Sequence, residues 1–276
     1  MQTNNQAARV SVSTWSLDRT LGSPDFYGVG DPLPADTHNK GAYSLLALPE
    51  RLVEAGISTM EICHFHLPTL DSGYLGELRA ALEAAQVELF SLLVDDGDIT
   101  HPTNGERDLA WIRQWLDVAQ ALGARCIRAI AGKSDPSPQA LERSYQALSV
   151  LAAEARERNV RLMTENWFAL LSTPQSVQAL FERLNGEVGL CLDFGNWKGH
   201  GKYAALEEIA PLAESCHAKA SFDSPYVLDQ EDYLRCLDIT RLANFSGPYT
   251  LIYDGPDQDE WEGLANELAV VQQYVQ

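Results

Sequence analysis

One alternation runs through the chain from end to end and limits what it can fold into. Short β-rich runs occur at about 10–15, 58–63, 88–94, 125–131, 160–165, 188–194, 215–220 and 248–254, and segments of 3.6-residue apolar periodicity separate them. In 106–123, Leu109, Ile112, Trp115, Leu116, Ala119 and Leu122 form one stripe; in 137–159, Leu141, Tyr145, Leu148, Leu151 and Ala155 do the same. Helix starts are marked at Asp71-Ser72, Ser137, Thr173-Pro174 and Asp257–Asp259, and helix ends at Gly56, Gly123, Asn159 and Gly186. Eight strand–helix units in 276 residues come to about 34 residues each. Such alternation calls for a parallel sheet covered by helices. No Gly-rich phosphate turn follows the first strand, so the α/β class narrows to a closed (β/α)8 barrel, a TIM barrel, rather than a doubly wound sheet. Linkers and low-complexity runs are missing, and 1–276 reads as a single domain.

Charge narrows the partners. The chain carries 20 Lys+Arg against 39 Asp+Glu, a net charge of −19, and 45% hydrophobic residues. The acidic excess argues against nucleic acid, whose affinity rests on clustered Lys/Arg, and against an anionic membrane surface. It favours a small-molecule partner; a homo-oligomer is allowed. No window approaches 18 uninterrupted apolar residues, and the N-terminal MQTNNQAARVSVSTW lacks a secretory pattern. The five cysteines are scattered in strand-like contexts without CxxC pairs, which points to small buried hydrophobes and a reducing cytoplasm.

One connection is out of scale. Residues 16–43, rich in Gly, Pro and Asp, follow the first strand and so lie on the C-terminal face where barrel active sites are built. A loop that long is expected to be a lid or a substrate contact, with a mobile insertion as the alternative. On the same face, four strands end in polar residues. The fifth closes on Glu165-Asn166-Trp167, the sixth on Asp193-Phe-Gly-Asn196-Trp197, the seventh on His217-Ala-Lys219 and the eighth on Ile252-Tyr-Asp254. A lone buried carboxylate is costly unless it is paired or bound to a metal. Converging Glu, Asp and His offer a divalent ion mixed oxygen and nitrogen ligation, suited to Mn²⁺, Zn²⁺, Co²⁺ or Fe²⁺, with Mg²⁺ also allowed.

These residues, together with Gly56-Ile-Ser-Thr-Met-Glu61-Ile on the second strand, resemble the xylose isomerase-like TIM barrels of the sugar phosphate isomerase/epimerase family. The resemblance covers essentially the whole chain. It implies a divalent metal held by Glu165, Asp193 and His217, with a second glutamate from the eighth strand. There this chain has Ile252, and Asp254 stands two residues on, about 6.6 Å farther along the strand. Asp254 is therefore expected either as the fourth ligand and second catalytic base or as a rim ion pair with Lys219. Glu61 is expected to point into the barrel, to contact substrate, orient a ligand or serve a structural hydrogen bond.

Further positions surround this set. Asn166, Asn196 and Lys219 are expected at the substrate, as is His66; His64 and His66 could equally be solvated. Asp95, Asp96 and Asp98 read as turn and cap residues. Arg128 and Lys133 are the best positive charges for an anionic substrate. Trp15, Trp167 and Trp197 could stack on a sugar ring or pack the rim. The resemblance implies a metal-dependent isomerase or epimerase, with Glu165 and Asp254 as its acid/base pair. The reaction would move a proton next to a ketose or aldose carbonyl through an enediolate. A dehydratase-type elimination and a non-catalytic sugar-binding barrel are the alternatives. Phosphodiester cleavage by a zinc cluster would need more than the chain's six histidines, and Asn196 stands where such enzymes place one.

Overall fold

A computed structural model of the chain describes residues 8–34, 37–255, 257 and 259–275. Residues 1–7, where the sequence shows no secretory pattern, lie outside the described residues. So do 35 and 36 of the long first loop and 258 of the C-terminal acidic run. Strand β1 (Arg9–Ser13) leads into a single turn α1 (Asp18–Leu21) and then α2 (Leu48–Glu54). The next units are β2 (Thr59–Cys63), α3 (Ser72–Ala85), β3 (Glu88–Leu93), α4 (Gly105–Leu122), β4 (Cys126–Arg128) and α5 (Pro138–Glu157). They are followed by β5 (Arg161–Glu165), α6 (Pro174–Leu184), β6 (Gly189–Asp193), α7 (Lys202–Ile209) and β7 (Ala213–Ala218). A two-stranded antiparallel ribbon, β8 (Phe222–Ser224) and β9 (Val227–Leu228), precedes α8 (Gln230–Leu242), β10 (Pro248–Leu251) and α9 (Glu260–Val271). The ribbon is the element that apolar periodicity does not announce, because its strands are too short and exposed.

Strands β1–β7 and β10 close into one parallel barrel in the order β1-β10-β7-β6-β5-β4-β3-β2. The fold is a TIM barrel, as the alternation predicts. Outward residues such as Val12, Met60, Ile127, Leu162, Leu190 and Leu251 are buried under the helices. Inside the barrel a separate small cluster of Phe90, Cys126, Met163 and Cys191 fills a layer. All five cysteines are buried and free. Among the described residues, no helix is long and apolar enough to cross a membrane.

The helix starts follow capping chemistry. Ser137 and Thr173 each accept a backbone N–H in the first turn, ahead of a proline at the first helical position. Asp229 and Asp259 cap α8 and α9 in the same way. Asp71 does not cap α3; Thr69 Oγ1 donates to its carboxylate at 2.9 Å instead.

The long first loop is pinned across the β2 and β3 ends. Tyr27 Oη donates to the His64 carbonyl at 3.1 Å, while His64 Nε2 donates to the Tyr27 carbonyl at 2.8 Å. The Val29 N–H donates to Asp96 Oδ2 at 2.8 Å.

Candidate functional site

Barrel closure places β5, β6 and β7 side by side, so their last inward residues share one patch of the mouth. Cα pairing sets Asp193 against His217 and Glu165 against Cys191, with a register shift between Leu190 and Cys191. A bulge at that place re-aims the side chains beyond it. A second shift, between Met60 and Glu61, does the same on β2. Glu61, Glu165, Asp193 and His217 are all buried.

Each of these side chains is held by a specific partner. Asp193 Oδ1 accepts the backbone N–H groups of Gly195 at 2.6 Å and Asn196 at 2.9 Å, which leaves Oδ2 facing His217 Nδ1 at 3.6 Å. The Asn166 amide brackets the Asp193 backbone, accepting from its N–H at 2.7 Å and donating to its carbonyl at 3.1 Å. Asn196 Nδ2 donates to Glu165 Oε1 at 2.6 Å. Glu165 Oε2 lies 3.5 Å from His217 Nδ1 and 3.2 Å from Arg128 Nε, and it is buried with no hydrogen-bond partner. On the far side of the imidazole, His217 Nε2 donates to Glu61 Oε2 at 2.8 Å. That bond turns Nδ1 toward Glu165 and Asp193, the arrangement metal-binding histidines commonly take.

The electrostatics point the same way. Burial raises the Glu165 carboxyl above its usual range and Asp193 adds to this, outweighing Arg128 and His217. Burial opposes charge on His217, yet Cys191, Glu61, Glu165 and Asp193 together push its imidazole well above the usual value. A site that gathers carboxylates around one imidazole is built for positive charge. Two donors about 2.1 Å from one ion sit about 3.4 Å apart at a tetrahedral angle, close to the 3.5 and 3.6 Å separations found here. These two separations let His217 share an ion with either carboxylate, and the buried Glu165 oxygen without a hydrogen bond is a free donor for it. Glu165, Cys191 and His217 also offer donor atoms that lie within 4.8 Å of one another.

A cavity opens over this cluster, walled by Ser13, Trp15, Cys63, Leu93, Asp95, Arg128, Trp167, Asn196, Lys219 and Ile252 as well. Gly195 is required there: a Cβ on it would come within 2.6 Å of Lys219 Cδ. Lys219 crosses that space to pair with Asp254. Arg128 stacks over Trp167 at 5.3 Å and lies between two buried carboxylates, its Nη2 donating to Asp95 Oδ1 at 2.6 Å and its Nε standing 3.2 Å from Glu165 Oε2 without a hydrogen bond. It is a structural cation shared by the cavity wall.

Several expected positions lie elsewhere. Asp254 is not in the cavity; it ion-pairs with Lys219 and its side chain is 45% exposed, the rim arrangement. β10 ends at Leu251, and Asp254 lies in the connection beyond it. His66 is buried outside the cavity, Nδ1 at 2.9 Å from Thr14 Oγ1 and Nε2 at 3.1 Å from Asp18 Oδ1. Glu61 and Asn166 sit behind the lining and position His217 and Asp193. Lys133 is engaged by Asp96 at 2.6 Å, and Trp197 is buried, donating to the Leu171 carbonyl at 3.2 Å. Sequence reasoning missed Asp95 as a wall residue, although period-two continuation of β3 from Ser91 through Leu93 reaches it. It also read Cys191 only as a small hydrophobe.

Comparison with known proteins comes to the same architecture. Residues 49–269 match the family described as xylose isomerase-like TIM barrel. No curated protein matches the chain by sequence. A xylose isomerase-like TIM barrel protein from Mycobacterium smegmatis in complex with magnesium superposes with a TM-score of 0.70 at 17% identity, covering 100% of this chain and 98% of that one. An L-ribulose 3-epimerase superposes at 0.71 and 16% identity over 97% of this chain and 94% of that one. The probable 3-DHS dehydratase AsbF from Bacillus anthracis superposes at 0.69 and 15% identity, covering 95% and 98%. At these identities the likeness establishes the fold.

Proposed function

The chain belongs to the xylose isomerase-like TIM barrel family, and on that premise we propose that it is a divalent-metal-dependent isomerase or epimerase of a ketose, aldose or related polyol-ketone. The observation that carries the reading is the buried Glu165 oxygen, left without a hydrogen bond beside Asp193 and His217. Epimerases and a dehydratase among the structural neighbours support the reaction class. A divalent ion bound by Glu165, Asp193 and His217 would supply polarisation of a carbonyl and its neighbouring hydroxyl.

The chain's own residues then divide the work. Glu165 is the base: Asn196 fixes Oε1, and burial raises the carboxyl above its usual range. Glu61 holds His217 in one orientation. Trp15 and Trp167 offer flat faces to the C–H face of a sugar, and Lys219 donates hydrogen bonds to its oxygens. Burial opposes the Lys219 charge, but Asp254, Asp193 and Glu165 keep the ammonium protonated.

Ile252 favours one-base chemistry, because the cavity wall contributed by the last barrel strand carries no carboxylate. Two outcomes follow for Glu165: return of the proton to give an isomer, or a dehydratase-type loss of a hydroxyl from the adjacent carbon. Incubation of the metal-loaded protein with ketoses and keto-polyols in deuterated water, followed by NMR, separates them. Deuterium beside the carbonyl with an isomeric product supports isomerisation; an unsaturated product supports elimination. Glu165→Gln should lower either rate by about 10²–10⁴-fold. A metal-loaded protein that exchanges no carbon-bound hydrogen in any of these substrates overturns the enzymatic reading and leaves a sugar-binding barrel.

A further inference from the structure

Three donors leave a tetrahedral or larger ion short of protein ligands on one side. Opposite the cluster the wall is Ile252, which has no donor atom, and Asp254 is occupied by Lys219. Below it lies Cys191, two residues before Asp193 on the same inward face of β6 and fully free of disulfide. Its sulfur reaches within 4.8 Å of donor atoms on both Glu165 and His217, and all three residues are buried. Glu165 Oε2 lies 3.5 Å from His217 Nδ1 and is buried without a hydrogen bond.

We propose that Cys191 is a thiolate ligand of this centre, bound together with Glu165 and His217, whose donor atoms and its sulfur all lie within 4.8 Å of one another. The consequence is selectivity: a thiolate and an imidazole beside carboxylates favour Zn²⁺, Co²⁺ or Fe²⁺ over Mg²⁺. On coordination the S–H bond breaks, the sulfur–metal bond forms and the proton leaves to solvent, with no change of oxidation state. The inference rests on the metal-binding reading of the preceding subsection but not on turnover, and it is tested without substrate.

Metal-free protein titrated anaerobically with Co²⁺ should develop a near-ultraviolet thiolate-to-cobalt charge-transfer band. The band should persist in Cys126→Ser, which alters the other thiol of the interior layer, and vanish in Cys191→Ser and Cys191→Ala. Chelator competition should show Zn²⁺ bound at least about tenfold more weakly by Cys191→Ser, with Mg²⁺ binding unchanged. X-ray absorption of the Zn²⁺-loaded unaltered protein needs no substitution, and should show one sulfur at about 2.3 Å. A zinc shell of nitrogen and oxygen only, or a charge-transfer band surviving in Cys191→Ser, overturns the proposal. A sulfur scatterer in a protein inert toward every sugar sustains this ligand while removing the isomerase reading.

Discussion

Arg128 lies between two buried carboxylates, and the barrel treats them in opposite ways. On the β3 side, Asp95 takes a 2.6 Å hydrogen bond from Nη2, and its other oxygen faces His64 Nδ1 at 3.8 Å. Burial would raise that carboxyl, but Arg128 and His64 outweigh it and hold Asp95 well below the ordinary carboxylate range. On the β5 side, Glu165 stands 3.2 Å from Nε in poorer geometry and shares its space with Asp193, so burial prevails and its carboxyl is raised. Both residues are acids lining one cavity. Each keeps one buried oxygen without a hydrogen bond, but the guanidinium holds Asp95 in its charged form while Glu165 is pushed toward its neutral one; on the proposed reading a cation would offset the charge on the β5–β7 side. A pair of like groups pushed apart in this way is how a fold separates structural charge from working charge.

The largest effect that can break this comparison is on the Asp95 side. Asp95→Asn removes one partner of a buried ion pair, so urea denaturation should show a loss of about 3 kcal/mol. A loss near zero would mean that Glu165 alone satisfies Arg128 and that the two walls are equivalent. Next, Ile252→Glu adds a carboxylate to the cavity wall and should tighten Mg²⁺ binding about tenfold, or about 1.4 kcal/mol, by calorimetry. Unchanged Mg²⁺ affinity would show that Ile252 does not face the ion.

On the Glu165 side the sign reverses. Glu165→Gln should stabilise the metal-free protein by roughly 1 kcal/mol at neutral pH, since burial and Asp193 cost the Glu165 charge more than Arg128, His217 and Asn196 return. A raised folded-state value means that ionised Glu165 costs stability above that value. The gain should therefore fade as pH drops toward about 4.3, where the unfolded side chain is protonated too. Asp95 runs the other way: its contribution is present above about 3.9 and is lost only on further acidification. Thermal melts of wild type, Glu165→Gln and Asp95→Asn across this range should diverge in opposite directions. The smallest effect is expected at the rim. Asp254 is 45% exposed and Lys219 25%, so Asp254→Asn should cost under about 1 kcal/mol. It should also leave metal affinity unchanged; a large loss of metal would return Asp254 to the centre.

Much of the site was legible because strand ends are local features. Glu165, Asp193 and His217 each interrupt an apolar run at the C-terminal end of a strand, and a parallel barrel gathers those ends by construction. Asn196 was legible as part of the same turn. The partners of these residues were not. Arg128 looked like a hook for an anionic substrate, and only the folded chain shows it spent on Asp95 and Glu165. His66 looked like a loop residue near the substrate, and packing puts it against Thr14 and Asp18. Asp254 stood two residues past the expected position, and only the backbone path decides that it meets Lys219 rather than an ion.

The sequence by itself determined the eight strand–helix units, the caps that start α5, α6 and α9, and the acidic character of the barrel mouth. All of these depend on residues within one or two turns of each other, where spacing alone sets which side chains share a face. The tertiary structure decided the pairings: Glu61 with His217, 156 residues apart, or Cys191 beneath Glu165. Those contacts depend on strand register and on two bulges, which shift by a single residue without leaving any mark on hydrophobic period.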